Sequence, residues 1–223
     1  MRRSSQQYDG KLNEIAHYKQ FPIMRPFVGE FYSANPIKTL LIAESFYLPN
    51  ECELHKDAEE WYASNESDLD SSEKPWVDCR GLIECDWFAA GHFLYRELDR
   101  CLCESTGIGF EGLAFMNAFQ RPSCREGESF KHFCTNLDIE KSSEVINVVQ
   151  EVLLPDHVIF VAKYPWDVLG AQVTSKDVAK KYDFVCHPGT GGRYWHNVDY
   201  QHGKQKFLKI MKMAGEQNSQ PDA

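Results

Sequence analysis

Three short apolar runs along the chain each end at polar residues that are suited to binding or catalysis. Residues 39–43 precede Glu44-Ser45-Phe46-Tyr47, residues 113–116 precede Asn117, and residues 184–186 precede His187-Pro188-Gly189. Runs of this length, bounded by polar or turn residues, are typical of buried parallel strands. In an open α/β sheet, ligands bind just beyond the carboxyl ends of such strands. The pattern therefore predicts one ligand site built from these strand ends.

Segments with helical spacing of apolar residues alternate with the predicted strands. The spacing predicts helices over residues 5–19, 58–62, 88–103, 142–154, 166–172 and 205–214, and strands over residues 38–43, 113–116, 157–162 and 183–186. Alternation of strands and helices is the pattern of a mostly parallel sheet with helices packed against it. The predicted class is α/β, with four strands.

The length of 223 residues suits one domain over residues 1–223 better than two small ones. Residues 1–37 are predicted to form an N-terminal helix and a lead-in to the first strand. Residues 51–75 are acidic and contain several serines, and we predict an insertion that starts as a helix and ends as a mobile loop or lid. Residues 215–223 are expected to be a disordered tail.

The net charge of −9 is concentrated in one part of the chain. Residues 40–112 hold 17 acidic and five basic side chains. Tight non-specific binding to DNA requires many lysines and arginines that neutralise phosphates, so this balance argues against it. The charge balance is still compatible with a weakly charged face that contacts a DNA strand locally.

Composition also limits the location and the cofactors that we expect. No apolar run is long enough to cross a membrane, and no apolar segment comes after Arg2 and Arg3, so we expect a cytoplasmic protein with no membrane partner. Eight cysteines without a Cys-x-x-Cys pair predict free thiols rather than a disulfide framework or a metal site. We expect no metal and no cofactor, and the sequence leaves the oligomeric state open.

The order of the elements and three motifs resemble the uracil-DNA glycosylase superfamily, over about residues 38–212. The motifs are Ala43-Glu44-Ser45-Phe46-Tyr47 after the first strand, Asn117 at the end of the second, and His187-Pro188-Gly189 in place of the family's His-Pro-Ser. The first motif is closest to the Gly-Glu-Ser-His-Tyr of some uncharacterised bacterial members. The resemblance implies a three-layer α/β/α fold with a four-stranded parallel sheet. It also implies a protein that binds a nucleobase flipped out of single- or double-stranded DNA and cleaves its N-glycosidic bond, which would be a role in DNA repair.

The chemistry of the two best-matched residues fits that activity. An asparagine amide both donates and accepts hydrogen bonds, so Asn117 can match a carbonyl and an N–H of uracil together. His187 can donate to the uracil O2 while negative charge develops on the departing base.

Other positions are expected to shape the pocket. Stacking needs an aromatic face, and the candidates are Phe46, Trp87 and Phe88. Tyr47 stands where the family has a tyrosine that excludes the thymine methyl group. Gly189 replaces the family's phosphate-binding serine, and the aromatic-tipped loop with Arg193 stands where the family has an intercalating wedge.

One departure from the family bears directly on catalysis. Ser45 stands where the most active members have an aspartate that orients the attacking water, and a serine hydroxyl is a poor base near neutral pH. Glu44 is the nearest carboxylate that can replace it. The alternative to an enzyme is a non-catalytic protein of the same fold that binds a nucleobase or a nucleotide.

A second alternative is a serine hydrolase with Ser45 as the nucleophile. Asn117 would then donate to the oxyanion, and His187 would be the base, supported by Asp183. The residue types fit, but no Gly-x-Ser-x-Gly motif surrounds Ser45.

Overall fold

A computed structural model describes residues 2–87, 89–124, 127–174 and 180–216 of the chain. Its strands form one mixed sheet in the order β1-β3-β2-β4-β5, in which β1 is antiparallel to β3 and the other neighbours are parallel. The strands are β1 Phe27–Val28, β2 Thr39–Ala43, β3 Ala114–Asn117, β4 His157–Phe160 and β5 Lys181–Phe184. The α/β class is confirmed.

The prediction of four strands was wrong, because β1 adds a fifth at the edge beside β3. Phe27 pairs with Phe115, and Val28 pairs with Ala114. This strand is only two residues long and comes directly after Pro26. Two residues cannot establish the alternation that marks a strand in a sequence, so tertiary pairing alone creates it.

The strand register brings the carboxyl ends of the central strands together. Ala43, the last residue of β2, is the partner of Asn117, the last residue of β3. Every residue of β2, β3 and β4 is buried, which requires both faces of the central sheet to be covered. The polar residues beyond β2 and β3 therefore emerge at one edge of a rigid core.

Helices occupy the connections between strands. The α-helices are α1 Asp9–Leu12, α2 Ala16–Gln20, α3 Ala58–Ala63, α4 Lys74–Val77, α5 Cys79–Glu84, α6 Phe93–Thr106, α7 Asn136–Leu153, α8 Lys163–Val173 and α9 Lys204–Glu216. Short 3₁₀ helices cover Pro22–Met24, Tyr32–Ala34, Leu54–Lys56, Glu66–Asp68, Phe110–Gly112, Phe130–His132 and Pro188–Arg193. Helix α6 packs against α9, and α7 packs against α8. Within the described ranges, no helix combines the length and the apolar character that a bilayer crossing needs.

Several predicted boundaries differ from the structure. The single N-terminal helix predicted over residues 5–19 is two short helices, because Ile15 adopts an extended conformation between them. The last strand covers Lys181–Phe184, so the strand predicted over residues 183–186 was placed two residues too late. Val185 and Cys186 are buried just beyond the end of the strand, and the Val185 N–H donates to the Phe160 carbonyl at 2.8 Å. The predicted tail lies mostly outside the described residues, which end at 216.

The acidic segment 51–75 contains several short helices joined by turns, and Trp61 anchors it in the core. The Trp61 side chain is fully buried and stacks on Phe21 with 4.5 Å between ring centroids. Its indole N–H donates to the Gln120 carbonyl at 3.0 Å. The predicted helix near residues 58–62 is present as α3, and short helices continue where we predicted a loop. Because apolar burial holds the segment, its acidic side chains form the solvent face of a packed element.

Candidate functional site

A cleft of about 670 Å³ opens at the carboxyl ends of β2 and β3. Its size lies in the range of small-molecule binding sites. The residues that line it are Ala43, Glu44, Ser45, Phe46, Tyr47, Trp76, Leu82, Gly91, His92, Phe93, Leu94, Tyr95, Asn117, Gly127, Ser129, His187, Gly189 and Thr190. The cleft thus brings together all three motifs found in the sequence.

Asn117 presents an amide group whose hydrogen-bonding capacity is unused. The residue is 4% exposed, and its backbone carbonyl accepts from Gln120 Nε2 at 2.9 Å. Among the described residues, no group hydrogen-bonds to the Asn117 side chain, although that side chain lines the cleft. A buried polar group is normally paired, so this amide is available to a ligand as both donor and acceptor.

His187 is held in one tautomer by the turn at its C-terminal side. The Gly189 N–H donates to His187 Nδ1 at 3.0 Å, so in the neutral ring the proton is assigned to Nε2. Burial lowers the pKa of His187 to about 4, which keeps the ring neutral at pH 7. The arrangement leaves Nε2–H as the donor of this ring toward a bound group.

Gly189 permits this contact because it lacks a side chain. A Cβ atom at this position would lie 2.9 Å from His187 Nδ1 and 3.1 Å from Cε1. Both distances are shorter than ordinary van der Waals contact, so a larger residue would displace the imidazole. The absence of a side chain at Gly189 therefore helps to set the orientation of the His187 ring.

Glu44 is fixed through one of its two carboxylate oxygens. Oε1 accepts from Ser129 Oγ at 2.7 Å and from the Phe130 N–H at 2.6 Å, at the start of a 3₁₀ helix. No described group donates to Oε2. Glu44 is also the single carboxylate among the described residues that line the cleft, and none of those residues is a lysine or an arginine.

Ser45 does not have the surroundings of a hydrolase nucleophile. Its Oγ atom is buried and has no hydrogen-bond partner, so it makes no contact with an imidazole. Asp183 accepts from His157 and pairs with Lys206, at 3.2 and 2.9 Å, rather than supporting His187. The described residues of the cleft therefore contain no hydrogen-bonded series of nucleophile, base and orienting acid.

The predicted aromatic residues that the structure describes divide into two groups, those that line the cleft and one that belongs to the core. Phe46 and Tyr47 line the cleft, and Phe46 is 4% exposed. Trp87 is a core residue instead: it is 2% exposed, its indole N–H donates to Leu82, and the Arg2 guanidinium covers its ring at 3.1 Å. Its ring is therefore not available to stack on a ligand in the cleft.

Two further predicted positions, Arg193 and Phe88, stand differently in the structure. Arg193 is exposed and lies 5.1 Å from the Tyr194 ring, outside the lining of the cleft. Phe88 lies outside the described residues.

Among the cleft residues that the three motifs did not indicate are two exposed aromatic side chains, Trp76 and Phe93. They are 38% and 39% exposed, which is unusual for large aromatic side chains. Phe93 is the first residue of α6, and Trp76 lies in α4 beside fully buried Val77. Neither comes directly after a strand, so strand-end reasoning could not find them.

The cleft offers hydrogen bonds and aromatic faces rather than metal ligands. In the described ranges, no three His, Cys, Asp or Glu side chains cluster so that they could hold a metal ion. No protein-family model matches the chain, and no curated protein matches it in sequence. The function of the cleft is therefore inferred from its residues and their contacts.

Proposed function

We propose that the cleft binds a uracil-type nucleobase extruded from DNA and hydrolyses its N-glycosidic bond, as the uracil-DNA glycosylase superfamily does. The observation that carries this proposal is the unpaired amide of Asn117 in the same cleft as a neutral His187 with its proton on Nε2. We propose with it that the three-layer arrangement of that superfamily describes this chain.

Asn117 would read the edge of the base. Its amide oxygen accepts from the N3–H of uracil, and its amide N–H donates to a neighbouring carbonyl oxygen. Cytosine has no N–H at that position, so it would leave the amide oxygen without a partner. An unpaired buried acceptor costs about 1–3 kcal/mol, which is the basis of discrimination.

His187 would stabilise the leaving base. When the bond between the sugar C1′ and the base nitrogen breaks, both electrons stay with the base, and charge accumulates on its O2 atom. The Nε2–H of His187 donates to that oxygen, and the ring needs no proton rearrangement because Nδ1 is already occupied. The anionic base takes up a proton after the bond has broken.

Glu44 would orient the water that completes the hydrolysis. The oxygen of the water bonds to C1′, and its proton passes to the free Oε2 of Glu44, while Oε1 remains held by Ser129 and Phe130. Ser45 would contribute only a hydrogen bond, since its hydroxyl does not act as a base near neutral pH. Phe46 supplies an apolar wall for the base.

The test is uracil release from single-stranded DNA that contains one deoxyuridine. We expect release by the intact chain and a loss of about 100-fold or more in Asn117→Ala and in His187→Ala. The matched controls are Asn50→Ala and His196→Ala, which change exposed residues outside the cleft. Absence of release by the intact chain would refute the catalytic proposal.

One observation favours a second function, a binding protein without catalysis. The only lining carboxylate of the described chain has one oxygen committed to Ser129 and Phe130, and the unpaired Ser45 stands in the water-orienting position of the family. The same variants distinguish the two functions: a binder retains uracil or deoxyuridine, loses it in Asn117→Ala, and releases no base.

A further inference from the structure

We propose that the mouth of the cleft is a second base-stacking site, formed by Trp76 and Phe93, and that the ligand is accordingly a single strand of at least two nucleotides. This inference rests on the proposed function, since it extends the nucleobase pocket outward. It assigns a substrate class, single-stranded nucleic acid, in preference to a free base, a nucleoside or a duplex.

The first support is the distribution of exposed aromatic side chains. Among the described residues, three large aromatic side chains are markedly exposed: Phe31, Trp76 and Phe93. Two of these three line the one cleft that also holds Asn117 and His187. Single exposed apolar residues are common on protein surfaces. Two exposed aromatic side chains in one cleft that also holds polar groups indicate a ligand with flat apolar faces.

The second support is the size and the charge of the cleft. Its volume of about 670 Å³ suits a drug-sized ligand and exceeds what one pyrimidine ring fills. The described lining holds no lysine or arginine, and the Arg96 guanidinium stands outside it, 5.7 Å from the Phe93 ring centroid, which is farther than the 3.1 Å at which Arg2 covers Trp87. A strand in the cleft would therefore contact the lining mainly through its bases. Base–aromatic stacking is the interaction that holds single strands in this way, and it tolerates any sequence.

The preference for a single strand comes from the availability of the neighbouring base. In a duplex, the bases beside a flipped nucleotide remain stacked and paired, so their faces are not free. In a single strand, a neighbouring base can leave its stack and lie on Trp76 or Phe93. The acidic balance of the chain agrees with this, because duplex binding depends more on phosphate contacts.

The experiment measures binding by fluorescence anisotropy with three probes. The probes are a labelled single-stranded oligonucleotide with one central deoxyuridine, its duplex, and unlabelled deoxyuridine as a competitor. We expect tightest binding to the single strand. Trp76→Ala and Phe93→Ala are each expected to weaken strand binding by about 5- to 150-fold while deoxyuridine affinity is unchanged.

Two controls separate stacking from misfolding. Trp76→Phe retains an aromatic face and should retain most of the affinity, whereas Phe31→Ala removes the exposed aromatic that lies away from the cleft and should change nothing. Equal affinity for strand and nucleoside would overturn the second site, as would strand binding that is unaffected in Trp76→Ala and Phe93→Ala.

Failure of the pocket and failure of the second site are distinguishable. If Asn117→Ala abolishes deoxyuridine binding while the two aromatic variants bind the strand normally, the pocket stands and the second site is refuted. If the aromatic variants lose the strand while Asn117→Ala changes neither probe, the stacking surface stands and the proposed base pocket is refuted.

Discussion

Replacing Gly189 by alanine is the sharpest test of how the cleft works. The added methyl group would lie 2.9 Å from His187 Nδ1, where the Gly189 N–H now donates at 3.0 Å. The backbone of Gly189 has an ordinary φ that alanine adopts, so the change acts on the imidazole and not on the turn. The ring must rotate away, and the contact that assigns its proton to Nε2 is lost.

The size of the effect can be worked from these contacts. Loss of one neutral hydrogen bond costs about 0.5–1.5 kcal/mol, and because His187 is only half-buried we expect the low end of that range. For a chain of 223 residues, a loss of about 0.5 kcal/mol lowers Tm by about 1–2 °C. The effect on catalysis is larger, since removal of a donor that faces developing charge costs about 100- to 1000-fold in rate.

The assay combines thermal unfolding, uracil release and ¹⁵N NMR of the His187 ring. Gly192→Ala is the matched control, because a Cβ atom there meets no atom within 4 Å and lies in the same loop. We expect Gly189→Ala to lose uracil release and the Nε2–H tautomer together. Unchanged release, or a His187 ring that keeps its tautomer in Gly189→Ala, would refute the role assigned to the glycine.

Two further predictions concern stability. Asp138→Asn should lower the free energy of unfolding, measured by urea titration, by about 3–5 kcal/mol, because it leaves the buried Arg121 guanidinium without its charge partner. The control Asp167→Asn removes an exposed ion pair and should lower the free energy of unfolding by less than about 1 kcal/mol. Equal losses would contradict the importance of burial. Burial lowers the pKa of His17 to about 3 and of His55 to about 4, so between pH 6.5 and 4 the unfolded chain binds protons that the folded chain does not. Stability should therefore fall as the pH falls below 6.5, by up to about 1.4 kcal/mol per pH unit for each histidine, and His17→Phe should reduce that slope; a stability independent of pH over this range would refute the reasoning.

The sequence predicted the polar residues of the cleft better than the exposed aromatic residues at its sides. Asn117 ends β3, and its parallel register with β2 sets it beside Ala43, so a local pattern was enough there. His187 lies three residues beyond the end of β5 and still lines the cleft. Trp76 and Phe93 reach the same cleft from helices that the strand pattern does not position. Trp87 was misassigned because a sequence does not reveal that Arg2, 85 positions earlier, covers its ring.

The same limit explains the differences in the fold. The long helix α7 was predicted from spacing, although its start was placed six residues late because the Thr135 capping box lies before the apolar stripe. Strand β1 exists only through pairing with β3, and local propensity carries no record of that partner. Patterns within one element were predictable, whereas contacts between distant elements were not.

The Arg121 guanidinium connects parts of the chain that would otherwise open separately. It donates to the carbonyls of His55 and Phe133, both at distances below 3 Å, while it pairs with Asp138 at the start of α7. The backbone of the acidic segment is thus hydrogen-bonded to a buried ion pair, and moving the segment alone would leave the buried guanidinium with fewer partners. We expect its amide hydrogens near His55 to exchange with solvent only when the whole domain unfolds, as one cooperative unit. Ligands would then enter the cleft by side-chain motions on the nanosecond scale, and the acidic segment would not swing aside as a lid.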